Sequence, residues 1–363
     1  MNTCPEGCVD TIAHSSLPEH LLQFCMDYKC TVAKFGPIHA YVASCIDALC
    51  NHGGKKGRER FGRRGVDCIL SAFRSPALTE ELVRCLCQGL ASICNDKTNS
   101  KCVFQPPDLI PASATTSRKK KKHNRAQTKG NKKRRTPHAN TTFPRGPSYF
   151  PQTMCRLFVS RDVRNNIEML YRLVHCCNCV LLSAWTRPPT LAEIEDSTEA
   201  DEGSEREEHE EDGGSNGGGS KTQRWVDVYE GVALEDLGEA VMLVMKKFEH
   251  ANLDTRCVQL LQTLGTVGSD DVRAKLSVLG LPELLTDEFM QGLETLPTDG
   301  CSNLLKAIIS TTRGDIAFGE CTRLLQVGVL EGVLRVMEIH LMSPNLQTAA
   351  MNMLTHLAIL REF

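Results

Sequence analysis

Two distant stretches of this chain carry the same pattern of apolar residues, and this repetition limits the fold more than any other feature. Leu237–Gly265 superimposes on Leu330–Ala358 without a gap when it is shifted by 93 residues. A third copy between them matches the last one at a shift of 49 residues. Units that recur at about 40–47 residues with helical periodicity are typical of stacked helical repeats. The sequence therefore predicts an all-α solenoid, a superhelix of three-helix repeats.

The superposition also assigns individual core positions. Its apolar pairs include Leu237 with Leu330, Val241 with Leu334, and Val244 with Met337. The pattern extends to the N-terminal third, where Cys45–Asn51 parallels Gly89–Asn95 at a shift of 44 residues. We place breaks at Pro76 and Pro344, between the second and third helices of their units, because proline cannot continue an α-helix.

The last unit shows the order of elements most clearly. A short helix is followed by Gly328, an apolar second helix, a polar break and a third helix that ends near Ala358. This order resembles the armadillo repeat, with the HEAT repeat as its near neighbour, over residues 20–103 and 225–363. The resemblance implies a superhelix whose third helices line a concave groove, and a function in holding other proteins rather than in catalysis.

Charge and composition divide the chain further. Arg118–Arg135 holds 11 Lys or Arg in 18 residues, whereas Glu193–Asp212 holds 12 Asp or Glu in 20 residues. Both regions lack the apolar surface that would offset chain entropy, so we expect them to be disordered. The predicted segments are a flexible N-terminus (1–19), armadillo-like repeats (20–103), a basic Pro-containing insertion (104–151), a helical interrupted repeat (152–187), an acidic and then Gly/Ser-rich insertion (188–223), and further armadillo-like repeats (224–363).

The basic tract resembles a two-part nuclear import signal. Its two clusters are Arg118, Lys119, Lys120, Lys121 and Lys122, followed by Lys132, Lys133, Arg134 and Arg135. Clustered Lys and Arg also release counterions from phosphate, so nucleic-acid binding is an equally physical interpretation of the tract. A solvated loop with no specific role is the third interpretation.

No motif in the sequence indicates catalysis. Phosphate-loop, dinucleotide-binding, nucleophile-elbow and zinc-protease patterns are all missing. Cys4 and Cys8 have a zinc-like spacing, but the segment that leads to His14 is too short for a zinc finger. We therefore predict a non-catalytic protein with no cofactor and no metal site.

The start of the chain and its apolar stretches bear on the compartment. The first residues have no basic start and no apolar run, so we expect no secretory signal. No apolar stretch approaches the roughly 20 residues that span a membrane, which predicts no membrane partner. The 18 cysteines are then expected to be mostly free thiols in a reducing compartment, the cytoplasm, with the nucleus as an alternative.

The resemblance also identifies candidate binding positions. In armadillo proteins of the importin-α type, the third helices carry a repeated Trp and, four residues later, a repeated Asn that bind an extended peptide. The Trp positions fall here on Gln88, Gln259, Asn303 and Asn352. The Asn positions fall on Ser92, Thr263, Ala307 and His356. Residues four apart share one helix face, so these positions predict a protein-binding groove, with solvated helix positions as the simpler interpretation.

Side-chain amides donate and accept hydrogen bonds and can therefore pair with an extended backbone. We predict a protein-binding adaptor or scaffold that holds an extended or helical peptide segment of another protein in this groove. The alternative is a nuclear or RNA-associated factor that binds through residues 118–135, with the helices as a rigid frame.

Overall fold

The computed structural model describes residues 15–27, 35–104, 150–184, 234–248 and 250–358. Within these ranges the protein is built of helices and contains no β-strand, so the predicted all-α class is confirmed. The basic tract 118–135, the acidic tract 193–212 and the residues Cys4, Cys8 and His14 lie outside the described residues.

The helices follow one another with short connections. In the N-terminal part they are α1 (Leu17–Asp27), α2 (Gly36–His52), α3 (Gly54–Ala72), α4 (Glu80–Cys94), α5 (Lys97–Phe104), α6 (Phe150–Val159) and α7 (Ile167–Ala184). In the C-terminal part they are α8 (Leu234–Lys247), α9 (Ala251–Val267), α10 (Asp270–Val278), α11 (Leu281–Gly292), α12 (Thr298–Thr311), α13 (Ala317–Gln326), α14 (Val329–Ile339) and α15 (Pro344–Ala358), with a 3-10 helix at Gly314–Ile316. The predicted segment 152–187 thus corresponds to α6 and α7, and α6 begins two residues earlier.

Six helices contact one another in chain order, and we call them the inner row. α2 packs against α4, α4 against α7, α7 against α9, α9 against α12, and α12 against α15. Other helices pack beside this row, since α3 contacts α2 and α4 while α11 contacts α12. The buried side chains are mostly Leu, Val, Ile, Ala and Cys and form one cluster. Burying one Leu or Val completely stabilises the fold by about 1.5–3 kcal/mol.

The described cysteines act as apolar core side chains. None of the fourteen forms a disulfide bond with another described cysteine, and nine are buried. Burial raises the pKa of the Cys50 thiol to about 12, and burial also raises the pKa of Cys257. These thiols therefore stay protonated near neutral pH and contribute to packing rather than to nucleophilic chemistry.

Among the described residues, α7 alone is long and apolar enough to cross a membrane, with a mean hydropathy of 1.2. Half of this helix is buried, and both α4 and α9 pack against it. Leu170, Leu173 and Val174 are each 0% exposed. These contacts explain the apolar character of α7 as that of a core helix.

Helices α11 and α14 each start after a glycine in the same conformation. Gly280 precedes α11 and Gly328 precedes α14, both with a φ of 83°, a left-handed conformation that glycine adopts readily. Counted from these glycines, the two helices are shifted by 48 residues rather than by the predicted 49. The predicted superposition of Leu285 on Leu334 was therefore wrong by one residue. Burial pairs Val241 of α8 with Val333 in the same way, because both are 0% exposed whereas Leu334 is 47% exposed. The 0% exposed residues of α14 are Val329, Val333 and Val336.

One face of the last two helices, α14 and α15, is open to solvent. Leu334 on α14 is 47% exposed and Met351 on α15 is 53% exposed. Their counterparts in α8 and α9, Met242 and Val258, are only 3% and 4% exposed. α8 and α9 contact the following helices α10 and α12, whereas no described helix follows α15. The open face of α14 and α15 thus corresponds to a face that the following helices cover on α8 and α9.

The two ends of the basic insertion meet at one point. Phe104 ends α5 and Phe150 begins α6. Their rings lie 5.6 Å apart between centroids, with an angle of 81° between the ring planes, and both side chains are buried. The chain therefore leaves the described fold at Phe104 and re-enters it beside the same residue.

Candidate functional site

The structure separates the eight predicted groove residues into an outer set and an inner set. The outer set consists of the amides, exposed or half-buried: Gln88, Gln259, Asn303 and Asn352. In the inner set Ser92 is half-buried, and the other exposures are 6% for Thr263, 0% for Ala307 and 7% for His356. In each pair the amide side chain is therefore more exposed to solvent than the residue four positions later.

Members of the inner set connect a helix of the inner row to the helix before it. Ser92 Oγ on α4 donates a hydrogen bond of 2.5 Å to Asp47 Oδ1 on α2. Thr263 Oγ1 on α9 forms a hydrogen bond of 2.6 Å with Asn178 Oδ1 on α7. Hydrogen bonds between neighbouring helices already occupy these side chains, so their role is to hold the row together.

His356 makes the corresponding contact at the last helix pair of the row. Its Nε2 atom lies 2.9 Å from Thr312 Oγ1 at the end of α12. Thr312 Oγ1 itself donates to the Ile308 carbonyl oxygen at 2.7 Å, so it must accept from the His356 ring N–H. Burial lowers the pKa of His356. The ring is therefore neutral near pH 7 and acts as a buried hydrogen-bond donor.

Two of the outer amides are held by an arginine of their own helix. Gln88 Oε1 on α4 accepts from Arg84 Nη1 at 3.0 Å. Gln259 Oε1 on α9 accepts from Arg256 Nη1 at 3.0 Å. Because the oxygen is engaged, each amide leaves its two N–H donors available to a ligand. The same donor arrangement thus recurs on two helices of the inner row.

The helix between them, α7, brings a histidine to the equivalent position. Each of the three helices starts at an N-cap residue whose side chain accepts a hydrogen bond from the backbone N–H three residues later. These N-cap residues and their hydrogen-bond distances are Thr79 (3.2 Å), Asn166 (3.0 Å) and His250 (3.4 Å). Counted from these caps, His175 occupies the position of Gln88 and Gln259. Sequence reasoning missed this role of His175, although the capping residue Asn166 carried the signal. We call Gln88, His175 and Gln259, continued by Asn303 and Asn352, the outer row.

A cavity of about 330 Å³ opens beside the outer row, between α2, α4 and α7. Its polar lining includes Asp47, Arg84, Gln88, Arg172 and His175. Its floor includes the thiols of Cys87 and Cys176, which are 6% and 2% exposed. Burial lowers the pKa of His175, and the charges of Arg256 and Arg172 lower it further. The ring is therefore neutral near pH 7 and offers one donor and one acceptor.

Positive charge follows the outer row on three helices, in Arg84, Arg172 and Arg256. Arg84 forms an ion pair of 2.5 Å with Glu81, and Arg172 forms one of 2.6 Å with Glu168. Arg256 has no carboxylate partner among the described residues. Its guanidinium lies 5.5 Å from the centroid of the Tyr171 ring, and its Nη2 donates to the Tyr171 hydroxyl at 3.2 Å.

The chemistry of this surface is that of hydrogen-bond donation to oxygen atoms. Within the described ranges, no group of three or more His, Cys, Asp or Glu side chains is arranged to hold a metal ion. Amide, guanidinium and imidazole N–H groups instead suit a ligand that carries carbonyl or carboxylate oxygens. No model of a known protein family matches this chain, and no curated protein matches it either.

Proposed function

We propose that this protein is a non-catalytic adaptor or scaffold and that the inner row forms the third helices of an armadillo-like solenoid. The consecutive contacts of the six helices support this assignment, as do the two three-helix units α10–α12 and α13–α15. Stacked repeats bury a continuous core and leave one long surface available for binding. The outer row lies on the inner-row helices, along this surface.

The ligand we propose is an extended peptide segment of another protein. The single observation that carries this proposal is the recurrence of an arginine-held amide at Gln88 and Gln259. Packed helices lie about 8–10 Å apart, so these two amides, two helix steps apart, are separated by roughly 16–20 Å. An extended chain rises about 3.3 Å per residue, and about five or six peptide residues would therefore bridge the two amides.

Replacing both Gln88 and Gln259 by alanine is expected to weaken peptide binding about tenfold. Each lost hydrogen bond to a peptide carbonyl contributes roughly 0.5–1.5 kcal/mol, so the pair accounts for a change of this size. The ligand for the measurement is a peptide of about twelve residues, selected from a displayed random library on the full chain. Its affinity for both proteins is measured by isothermal titration calorimetry.

The matched control is Gln326→Ala, which removes an exposed amide on α13, away from the outer row. This variant should bind the peptide like the parent protein, and all three proteins should unfold at the same temperature. Equal affinity of the double variant and the control would contradict the proposed groove, as would a library that yields no binding peptide.

A second candidate function is RNA binding through the basic tract. The observation that favours it is the 11 Lys or Arg within Arg118–Arg135, inserted where Phe104 and Phe150 meet. A tract at such a junction can contact another molecule without opening the helical core. Phosphate neutralisation by these side chains would give affinity with strong salt dependence.

Deletion of residues 118–135 is expected to abolish retention of single-stranded RNA while the unfolding temperature stays unchanged. The stability should persist because the Phe104–Phe150 contact joins the two sides of the insertion without this tract. RNA retention is measured by filter binding at two salt concentrations, with deletion of the Gly/Ser-rich residues 213–220 as the control. Equal RNA retention by the two deletions would eliminate the basic tract as an RNA-binding element.

A further inference from the structure

We propose that the cavity between α2, α4 and α7 binds a carboxylate side chain, Glu in preference to Asp, of the peptide held along the outer row. This inference rests on the proposed peptide-binding function and names the feature by which the groove would recognise its ligand. The cavity lies beside Gln88 and His175. Alternate side chains of an extended peptide point in opposite directions, so a side chain directed toward the helices at this level enters the cavity.

The two arginines at the cavity are oriented by their own ion pairs. Arg84 binds Glu81 through Nε and Nη2 and binds Gln88 through Nη1. Arg172 binds Glu168 through Nε and Nη2. No described residue accepts a hydrogen bond from Arg172 Nη1, so the N–H groups of this atom are available to a ligand. The fixed guanidinium plane favours a carboxylate, because the two groups match in geometry.

The acidic residue of the cavity is already engaged. Asp47 Oδ1 accepts from Ser92 Oγ at 2.5 Å and from Asn51 Nδ2 at 2.9 Å. These bonds, one from α4 and one from α2 itself, offset part of the charge on Oδ1. Arg256, which has no carboxylate partner in the described part, adds positive charge from the next helix of the row. The lining therefore offers more N–H donors than acceptors.

The floor of the cavity explains the preference for glutamate. Cys87 and Cys176 are buried side chains of apolar character. A glutamate has one more methylene group than an aspartate, and this group can cover the thiols while the carboxylate reaches Arg172. The length of the glutamate side chain and the apolar floor of the cavity thus both favour glutamate over aspartate.

The test uses the full chain and the peptide selected on it, with a series of peptides that differ at one position only. We expect the selected peptides to share a glutamate. Replacing it by glutamine should weaken binding to the parent protein about tenfold, as the loss of a charge-assisted contact predicts. The Arg172→Gln variant should bind the glutamate peptide about tenfold more weakly, yet bind the glutamine peptide like the parent protein.

The matched control is Arg335→Gln on α14. Arg335 also forms ion pairs with glutamates, Glu294 and Glu338, but it lies away from the cavity with 57% of its side chain exposed. This variant should bind both peptides like the parent protein. Thermal unfolding of both variants shows whether they remain folded.

The outcomes separate the two proposals. Selected peptides that bind the groove without an acidic residue in common would overturn the carboxylate site and leave the adaptor function intact. Equal losses for the glutamate and glutamine peptides in Arg172→Gln would overturn it too, because the arginine would then act through the fold. A strict requirement for phosphoserine at this position would replace the carboxylate by a phosphate, and the absence of any selected peptide would remove both proposals.

Discussion

Replacing Leu285 by alanine is expected to lower the free energy of unfolding by about 2–5 kcal/mol, whereas Leu334→Ala should lower it by less than about 1 kcal/mol. Leu285 on α11 is 0% exposed, and Leu334 on α14 is 47% exposed. Truncation of a buried leucine removes its transfer free energy and leaves a cavity, while truncation of an exposed leucine does neither. Urea unfolding of the full chain, followed by circular dichroism, measures both changes.

The pair is matched in residue type and in position, since each leucine lies in a helix that begins after a left-handed glycine. An ungapped shift of 49 residues makes them equivalent, whereas the glycines before the two helices give a shift of 48. Equal losses at both positions would therefore show that Leu334 is a core residue and that the register described for α14 is incorrect. Because arrays of repeats can unfold in several steps, the midpoints of the complete curves are compared.

The all-α class could be predicted from periodicity, and so could most of the core of α9. The spacing of Leu253, Cys257, Leu261 and Leu264 predicted one buried face, and all four are 0% exposed. The register of α14 could not be predicted in the same way. Its apolar residues come in adjacent pairs such as Val333 and Leu334, so either member fits the pattern. The neighbouring helices decide between them by covering one member of each pair.

The candidate site was predictable only at its outer edge. The place of Gln88 and Gln259 opposite the apolar face predicted that they would be accessible to solvent, and Gln88 is exposed and Gln259 half-buried. The burial of Thr263 and His356 did not, because it depends on partners from other helices, such as Asn178 and Thr312. In α7 the apolar and cysteine residues surround most of the helix, so periodicity alone did not single out the face that carries His175.

Arg273 on α10 binds the C-terminal end of α9, a helix of the inner row. It is 8% exposed on α10, and its Nη1 donates to the carbonyl oxygens of Gly265 at 3.0 Å and Gly268 at 2.5 Å. Gly265 also faces the backbone of Ser310 on α12, which a Cβ atom at this position would approach to 2.8 Å. The guanidinium therefore stabilises the end of α9 at a point where this helix contacts the backbone of α12.

Replacing Arg273 by methionine is expected to lower the free energy of unfolding by about 3–5 kcal/mol. Methionine keeps much of the side-chain volume, but the two carbonyl oxygens lose a charge-assisted donor, and each such bond contributes roughly 1.5–3 kcal/mol. Arg335→Met is the control, because this arginine is 57% exposed and forms only surface ion pairs, whose loss costs about 0–1 kcal/mol.

The hydrogen bond from Arg273 is also the main reason why the pKa of Asp270 is lowered. NMR titration of the Arg273→Met variant should therefore show that the pKa of Asp270 has risen. A variant as stable as the control, with an unchanged Asp270 titration, would show that Arg273 does not stabilise this junction.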